Sequence, residues 1–133
     1  MSTLIDTNTL IYLLDVNSPQ YQSCLQKFEE AQANGQVIIS DVVYSEFSMG
    51  MPDKPSTDQA IATLSVSRLA YSDDVLFRAG RAFLQYKANG GQRTNVLPDF
   101  FIGAQAETTG IPLITSDSTR MKTYFPAAKI IEP

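Results

Sequence analysis

STLIDTNTLIYLLD, residues 2–15, holds one charge between two apolar runs. Ser2 to Ile5 reads as the start of a buried strand, and Leu10-Ile11-Tyr12-Leu13-Leu14 as a buried helix. The strand, about 2–6, passes straight into the helix, about 7–15, and Asp6 lies at the junction. A carboxylate there can cap the helix, because its oxygen accepts from a free N–H of the first turn. Whether Asp6 does only that depends on its company elsewhere in the chain.

Outward from this stretch the same alternation repeats. Ser18-Pro19 reads as a helix start, since proline in the first turn removes an N–H that has no partner. That helix runs to Asn34-Gly35, where glycine can terminate it. Val37-Ile38-Ile39 is a short buried strand, and Ser40 or Asp41 caps a helix reaching about Met49. Pro52 and Pro55 break the chain, and Ser56 caps a short helix to about Leu64. A weak strand around 66–71 precedes Ser72-Asp73-Asp74, a cap followed by two acids in the first turn. Val75, Leu76, Ala79, Ala82, Phe83 and Tyr86 recur at helical spacing until Asn89-Gly90-Gly91. Pro98 opens a helix ending at Gly110, residues 112–115 form a strand, 118–124 a helix and 129–131 a last strand. Strands that are continuous apolar runs, alternating with helices, specify an α/β domain. The expectation is a single domain over residues 1–133, its central, mostly parallel sheet covered by helices on both faces. Sites in such sheets lie beyond the carboxyl ends of the strands, where Asp6 and Asp117 fall.

Composition narrows the chemistry. Apolar residues make up 44% and charged residues 18% of 133, an ordinary globular balance. No apolar run approaches the roughly 20 residues of a membrane span, and the N-terminus lacks signal-peptide features. A cytoplasmic location is expected. The single cysteine, Cys24, can form neither an internal disulfide nor a thiolate zinc cluster. Histidine is absent, which removes Ser-His-Asp and Cys-His hydrolases, imidazole-based ribonucleases and His-ligated metal sites.

Four acids stand out. Asp6 ends the first strand. Glu46 projects from the middle of an apolar helix face, with Val42 and Met49 to one side and Val43 and Phe47 to the other. An unpaired carboxylate is costly to bury there, so a salt bridge or a site is required. Asp99 is the second residue of its helix, where the macrodipole favours it. Its face continues through Ile102, Gly103 and Ala106, small enough in part to let another backbone approach. Asp117 follows a late strand and can cap the helix after it. Two carboxylates ~4 Å apart repel by about 4 kcal/mol at an effective dielectric near 20, so a cluster of four calls for a cation. All-oxygen donors favour Mg²⁺ or Mn²⁺, which can serve phosphodiester hydrolysis without histidine.

LIDTN at 4–8, the glutamate of VVYSEF at 42–47, LPDFFIGAQA at 97–106 and PLITSD at 112–117 with YFP at 124–126 resemble the acidic signatures of PIN-domain nucleases. The likeness is nearest to small bacterial toxins of the VapC type and spans nearly the whole chain in order. It implies a PIN-like fold and a Mg²⁺- or Mn²⁺-dependent endoribonuclease acting on tRNA or other structured RNA. It implies Asp6, Glu46, Asp99 and Asp117 as the catalytic, metal-binding acids. Asn8 would orient Asp6 or a water, and Thr115 would do the same for Asp117. A homodimer and a small antitoxin partner are implied in the same way.

The charge balance bears on an RNA substrate. Fourteen acids against ten bases give −4; without the four proposed ligands the count is ten against ten. Residues 66–95 hold Arg68, Arg78, Arg81, Lys87 and Arg93 against Asp73 and Asp74, and Arg120 and Lys122 follow Asp117. Arg78, Arg81, Arg93, Arg120 and Lys122 are therefore candidate phosphate contacts, with solvated helix faces the plainer alternative. Three competing readings remain at this point. A haloacid-dehalogenase-like phosphatase also opens on a strand and an aspartate, but wants a second acid where Asn8 stands. A receiver domain would want an acidic pair and a late lysine. A non-catalytic PIN-like module would bind RNA or protein without cleaving.

Overall fold

The computed structural model describes residues 1–93 and 97–133. Its elements run β1 (Thr3–Ile5), α1 (Thr7–Tyr12), α2 (Tyr21–Asn34), β2 (Val37–Ser40), α3 (Asp41–Ser48), α4 (Lys54–Leu64), β3 (Ser67–Leu69), α5 (Asp73–Ala88), α6 (Pro98–Thr109), β4 (Leu113–Ile114), α7 (Ser118–Tyr124) and β5 (Ile130–Ile131). The five strands form one sheet in the order β3-β2-β1-β4-β5. Every pairing is parallel, with Leu4 opposite Ile38 on one side and Leu113 on the other. The sheet is thus wholly rather than mostly parallel.

β1 and β2 are buried along their whole length, their apolar residues joined by the buried hydroxyls of Thr3 and Ser40. Helices α1 to α4 pack mainly among themselves and on β2, while α5, α6 and α7 pack on one another. Right-handed crossovers place these two groups on opposite faces. α3 touches α6 where the groups meet. The chain leaves β1 toward β2 and β3, then returns to add β4 on the other side of β1. This reversal is the topological switch point, where the carboxyl ends of neighbouring strands open a crevice.

Boundaries shift where local hydrogen bonding overrides pattern. α1 closes at Tyr12 rather than near residue 15, because Leu14 and Asp15 donate to the third residue back and tighten the last turn. α2 begins at Tyr21, Ser18 and Pro19 forming a turn before it. α4 is capped by Asp53, which accepts from the Ser56 N–H, so Pro55 lies inside the helix's first turn. β3 is confined to Ser67–Leu69, a partly exposed edge. Gly103 accepts a neighbouring side chain rather than a neighbouring backbone: a Cβ there would strike the Phe125 ring and the Met121 sulfur. Phe125 and Phe100 continue into an aromatic cluster with Phe83, Tyr86 and Tyr124, tying α5, α6 and α7 together.

Candidate active site

Asp6 is 7% exposed and accepts two hydrogen bonds. Its Oδ1 takes the Thr9 N–H at 2.9 Å, the helix cap expected from sequence. Its Oδ2 takes the Thr115 hydroxyl at 2.5 Å, across the switch point from β4. Thr115 is itself fully buried, and its Oγ1 accepts the Asp117 N–H at 3.0 Å. One hydroxyl therefore fixes both Asp6 and the backbone that carries Asp117.

Glu46 is half-buried on α3 and accepts from the Thr7 hydroxyl at 2.6 Å. Thr7 was not singled out in the sequence. It shares a face of α1 with Leu10 three residues on, and a hydroxyl on such an apolar face needs a partner. Ser40 caps α3, and Tyr71 donates to the Ser40 Oγ at 2.7 Å. Burial holds the Tyr71 phenol up at about 12, so it remains protonated and can keep donating.

Asp99 stands in the first turn of α6 and Asp117 at the start of α7. Asp117 occupies the cap position without capping: no side-chain hydrogen bond closes the helix start. Arg120 lies between the two acids, its Nη1 3.3 Å from Asp99 Oδ2 and its Nε 4.0 Å from Asp117 Oδ2. Burial raises the Asp99 pKa above the ordinary carboxylate range, and the charge of Asp117 raises it further. Arg120 opposes the shift, while Asp6 and Glu46 add to it. The charges of the other three acids thus all reach Asp99.

Their chemistry suits a hard divalent ion: oxygen donors, mutual repulsion, and no thiol or imidazole among them. Their present arrangement is a different matter. Among the described residues, no three acidic or cysteine side chains are gathered closely enough to hold one ion. The carboxylates are closed on protein donors instead: Asp6 on Thr9 and Thr115, Glu46 on Thr7, Asp99 and Asp117 on Arg120.

The remaining candidates scatter. Asn8 is exposed on α1. Arg78 is built into the fold: Nε donates to Glu107 at 2.6 Å, Nη2 to the Tyr124 carbonyl at 2.7 Å, and the guanidinium covers Phe125. Arg81 lies over the Phe77 ring, so these two bases, three apart on α5, do not present one charged face. Lys122 pairs with Glu132 at 3.2 Å, and Arg93 is exposed. Cys24 is buried, and burial followed by the Asp6 charge pushes its thiol upward, which suits an inert core residue.

A five-stranded parallel sheet in this order, with Asp6 and Asp117 just beyond the two strands of its switch point, defines a small class of α/β domains. The PIN domain family model matches residues 3–124, and the chain belongs to that family. The haloacid-dehalogenase-like reading is not favoured by this match. Similar solved folds include VapBC2 from Rickettsia felis, solved bound to a DNA fragment from their promoter (18% identity, 99% of this chain and 98% of that one, TM-score 0.73). A toxin–antitoxin complex from Klebsiella pneumoniae is 24% identical over 97% of this chain and 95% of that one, with a TM-score of 0.71. Mycobacterium tuberculosis VapC20, described as a sarcin–ricin-loop-cleaving toxin, is 14% identical over 96% and 98%, at 0.63. No curated protein sequence matches the chain.

Proposed function

We propose that this PIN domain is a Mg²⁺- or Mn²⁺-dependent endoribonuclease and the toxin of a toxin–antitoxin pair. The observation that carries the reading is the environment of Asp99. Its carboxyl feels the charges of Asp117, Asp6 and Glu46, three acids contributed by distant parts of the chain. A stabilising core has no use for four carboxylates at one sheet edge, whereas phosphodiester hydrolysis without histidine does. Asp6, Glu46, Asp99 and Asp117 would hold the ion, which supplies Lewis acidity toward water and the scissile phosphate.

The chain's own residues set up that chemistry. Thr115 and the α1 N-terminus hold Asp6 in one orientation, and Thr7 does the same for Glu46. Arg120 supplies positive charge beside Asp99 and Asp117. Of the candidate phosphate contacts, Arg81 and Arg93 are exposed while Lys122 is paired with Glu132, so affinity for RNA should be modest and fall steeply with salt. RNA as substrate and a small antitoxin as partner fit the toxins whose folds resemble this one. Among the described residues no helix is long and apolar enough to cross a membrane. A homodimer would cover Phe77 and Leu84, which are 63% and 56% exposed on one face of α5.

The direct test incubates purified protein with total RNA, with Mg²⁺ or Mn²⁺ and then with EDTA. Cleavage is expected only with metal and only with Asp6 intact. RNA cleavage that survives EDTA, or that Asp6→Asn retains, rules the reading out.

A further inference from the structure

We infer that Arg120 is the resident counter-cation of the Asp99–Asp117 pair and is exchanged for the divalent ion when the site loads. The inference rests on the metal-site reading above and concerns a residue that reading leaves without a defined step. Arg120 lies one turn into α7 and reaches back to Asp117 on its own helix and across to Asp99 on α6. No other guanidinium or ammonium among the described residues pairs with any of the four acids.

Two features make the pairing an exchangeable one. The contacts are long for a charge-assisted bond, at 3.3 and 4.0 Å. The arginine and both acids are also more than one-third exposed, so solvent can take up whichever partner is released. Contrast Arg78, clamped by Glu107 at 2.6 Å, by the Tyr124 carbonyl and by the Phe125 ring. That arginine is part of the frame. Arg120 instead occupies the electrostatic place of a cation, and while it does so the acids do not converge on one point. Loading then has a built-in competitor, which lowers metal affinity and keeps the empty acids from repelling one another.

The test is calorimetric titration of Mn²⁺ into the wild type, Arg120→Gln, Arg120→Lys and Asp99→Asn, with melting curves for each. Lys27→Gln serves as a remote charge control, since Lys27 lies beside Met1 and Thr3 at the opposite edge of the sheet. Arg120→Gln should bind Mn²⁺ about two- to thirtyfold more tightly, the range expected from losing two partly exposed pairs. It should also melt lower than wild type without metal and gain more from Mn²⁺. Arg120→Lys should remain near wild type, and Lys27→Gln should not change affinity. If wild type binds, Asp99→Asn does not, and Arg120→Gln binds no more tightly, the exchange is refuted while the metal site stands. Equal tightening by Lys27→Gln would also refute it. Absence of binding in every variant overturns the metal site and this inference together.

Discussion

Replacing Thr115 by valine removes one hydroxyl at almost constant volume from a fully buried position just past the carboxyl end of β4. Two hydrogen bonds go with it: the bond donated to Asp6 Oδ2 at 2.5 Å and the one accepted from Asp117 N at 3.0 Å. The first ends on a buried carboxylate, and bonds to charged groups are worth about 1.5–3 kcal/mol. The second protects a partly exposed backbone N–H that water can reach, so its loss adds little. The added methyl recovers about 0.8 kcal/mol at most. The net loss should be about 1–3 kcal/mol. At ~2.1 cal/mol/K per residue, 133 residues give an unfolding entropy of about 0.28 kcal/mol/K, so Tm should fall by about 4–11 °C. Thermal unfolding followed by circular dichroism measures this directly. Thr115→Ser keeps the hydroxyl and loses only a methyl, so it should fall by about half as much or less. If the valine variant melts within about 2 °C of wild type, or no lower than the serine variant, Thr115 does not hold Asp6 in the way described.

Asp99→Asn should stabilise the metal-free protein at neutral pH. Asp99's folded pKa is raised, so its penalty is absent below the unfolded value near 3.9 and grows as pH rises through the folded value. With the side chain 38% exposed, screening keeps the gain below about 1 kcal/mol; melting curves at pH 7 and pH 3.5 should show the gain only at the former. The same variant should lose its stabilisation by Mn²⁺, and an unchanged metal response would remove Asp99 from the ligand set. Gly103→Ala should cost about 1–3 kcal/mol, because its methyl enters the space of the Phe125 ring; a Tm unchanged from wild type would show that the ring can move aside. Replacing Phe77 and Leu84 together by glutamate should turn a dimer into a monomer in light scattering without lowering Tm by more than a few degrees; a dimer that persists would place the interface elsewhere.

Helix existence and strand existence were legible along the whole chain, since both rest on local periodicity. α7 was placed at its observed bounds, and Ser72 and Gly110 cap their helices as their chemistry suggests. Ends were less legible. Ser56 and Asp53 both have capping side chains, and only the folded backbone decides that Asp53 accepts and Ser56 donates. Gly103 announced a close approach but not the Phe125 ring that makes it, because that ring comes from a later helix. The bases on α5 were the hardest to place. Arg78 and Arg81 are equivalent by spacing, yet Glu107 and the Tyr124 carbonyl draw one inward.

The four acids mark the division most clearly. Residue type and local position single each of them out: a strand end, an apolar helix face, a helix start and a second strand end. Those properties belong to a few neighbouring residues and survive in the linear chain. The hydroxyls that Glu46 and Asp6 touch come from 39 and 109 residues away, Thr7 for the first and Thr115 for the second. Arg120's reach to Asp99 spans 21 residues and exists only because α6 and α7 pack around Phe125. Chain order can state which residues carry charge and can place Arg120 one turn from Asp117. The partners of Asp6, Glu46 and Asp99 from other elements are chosen by packing, and packing is non-local.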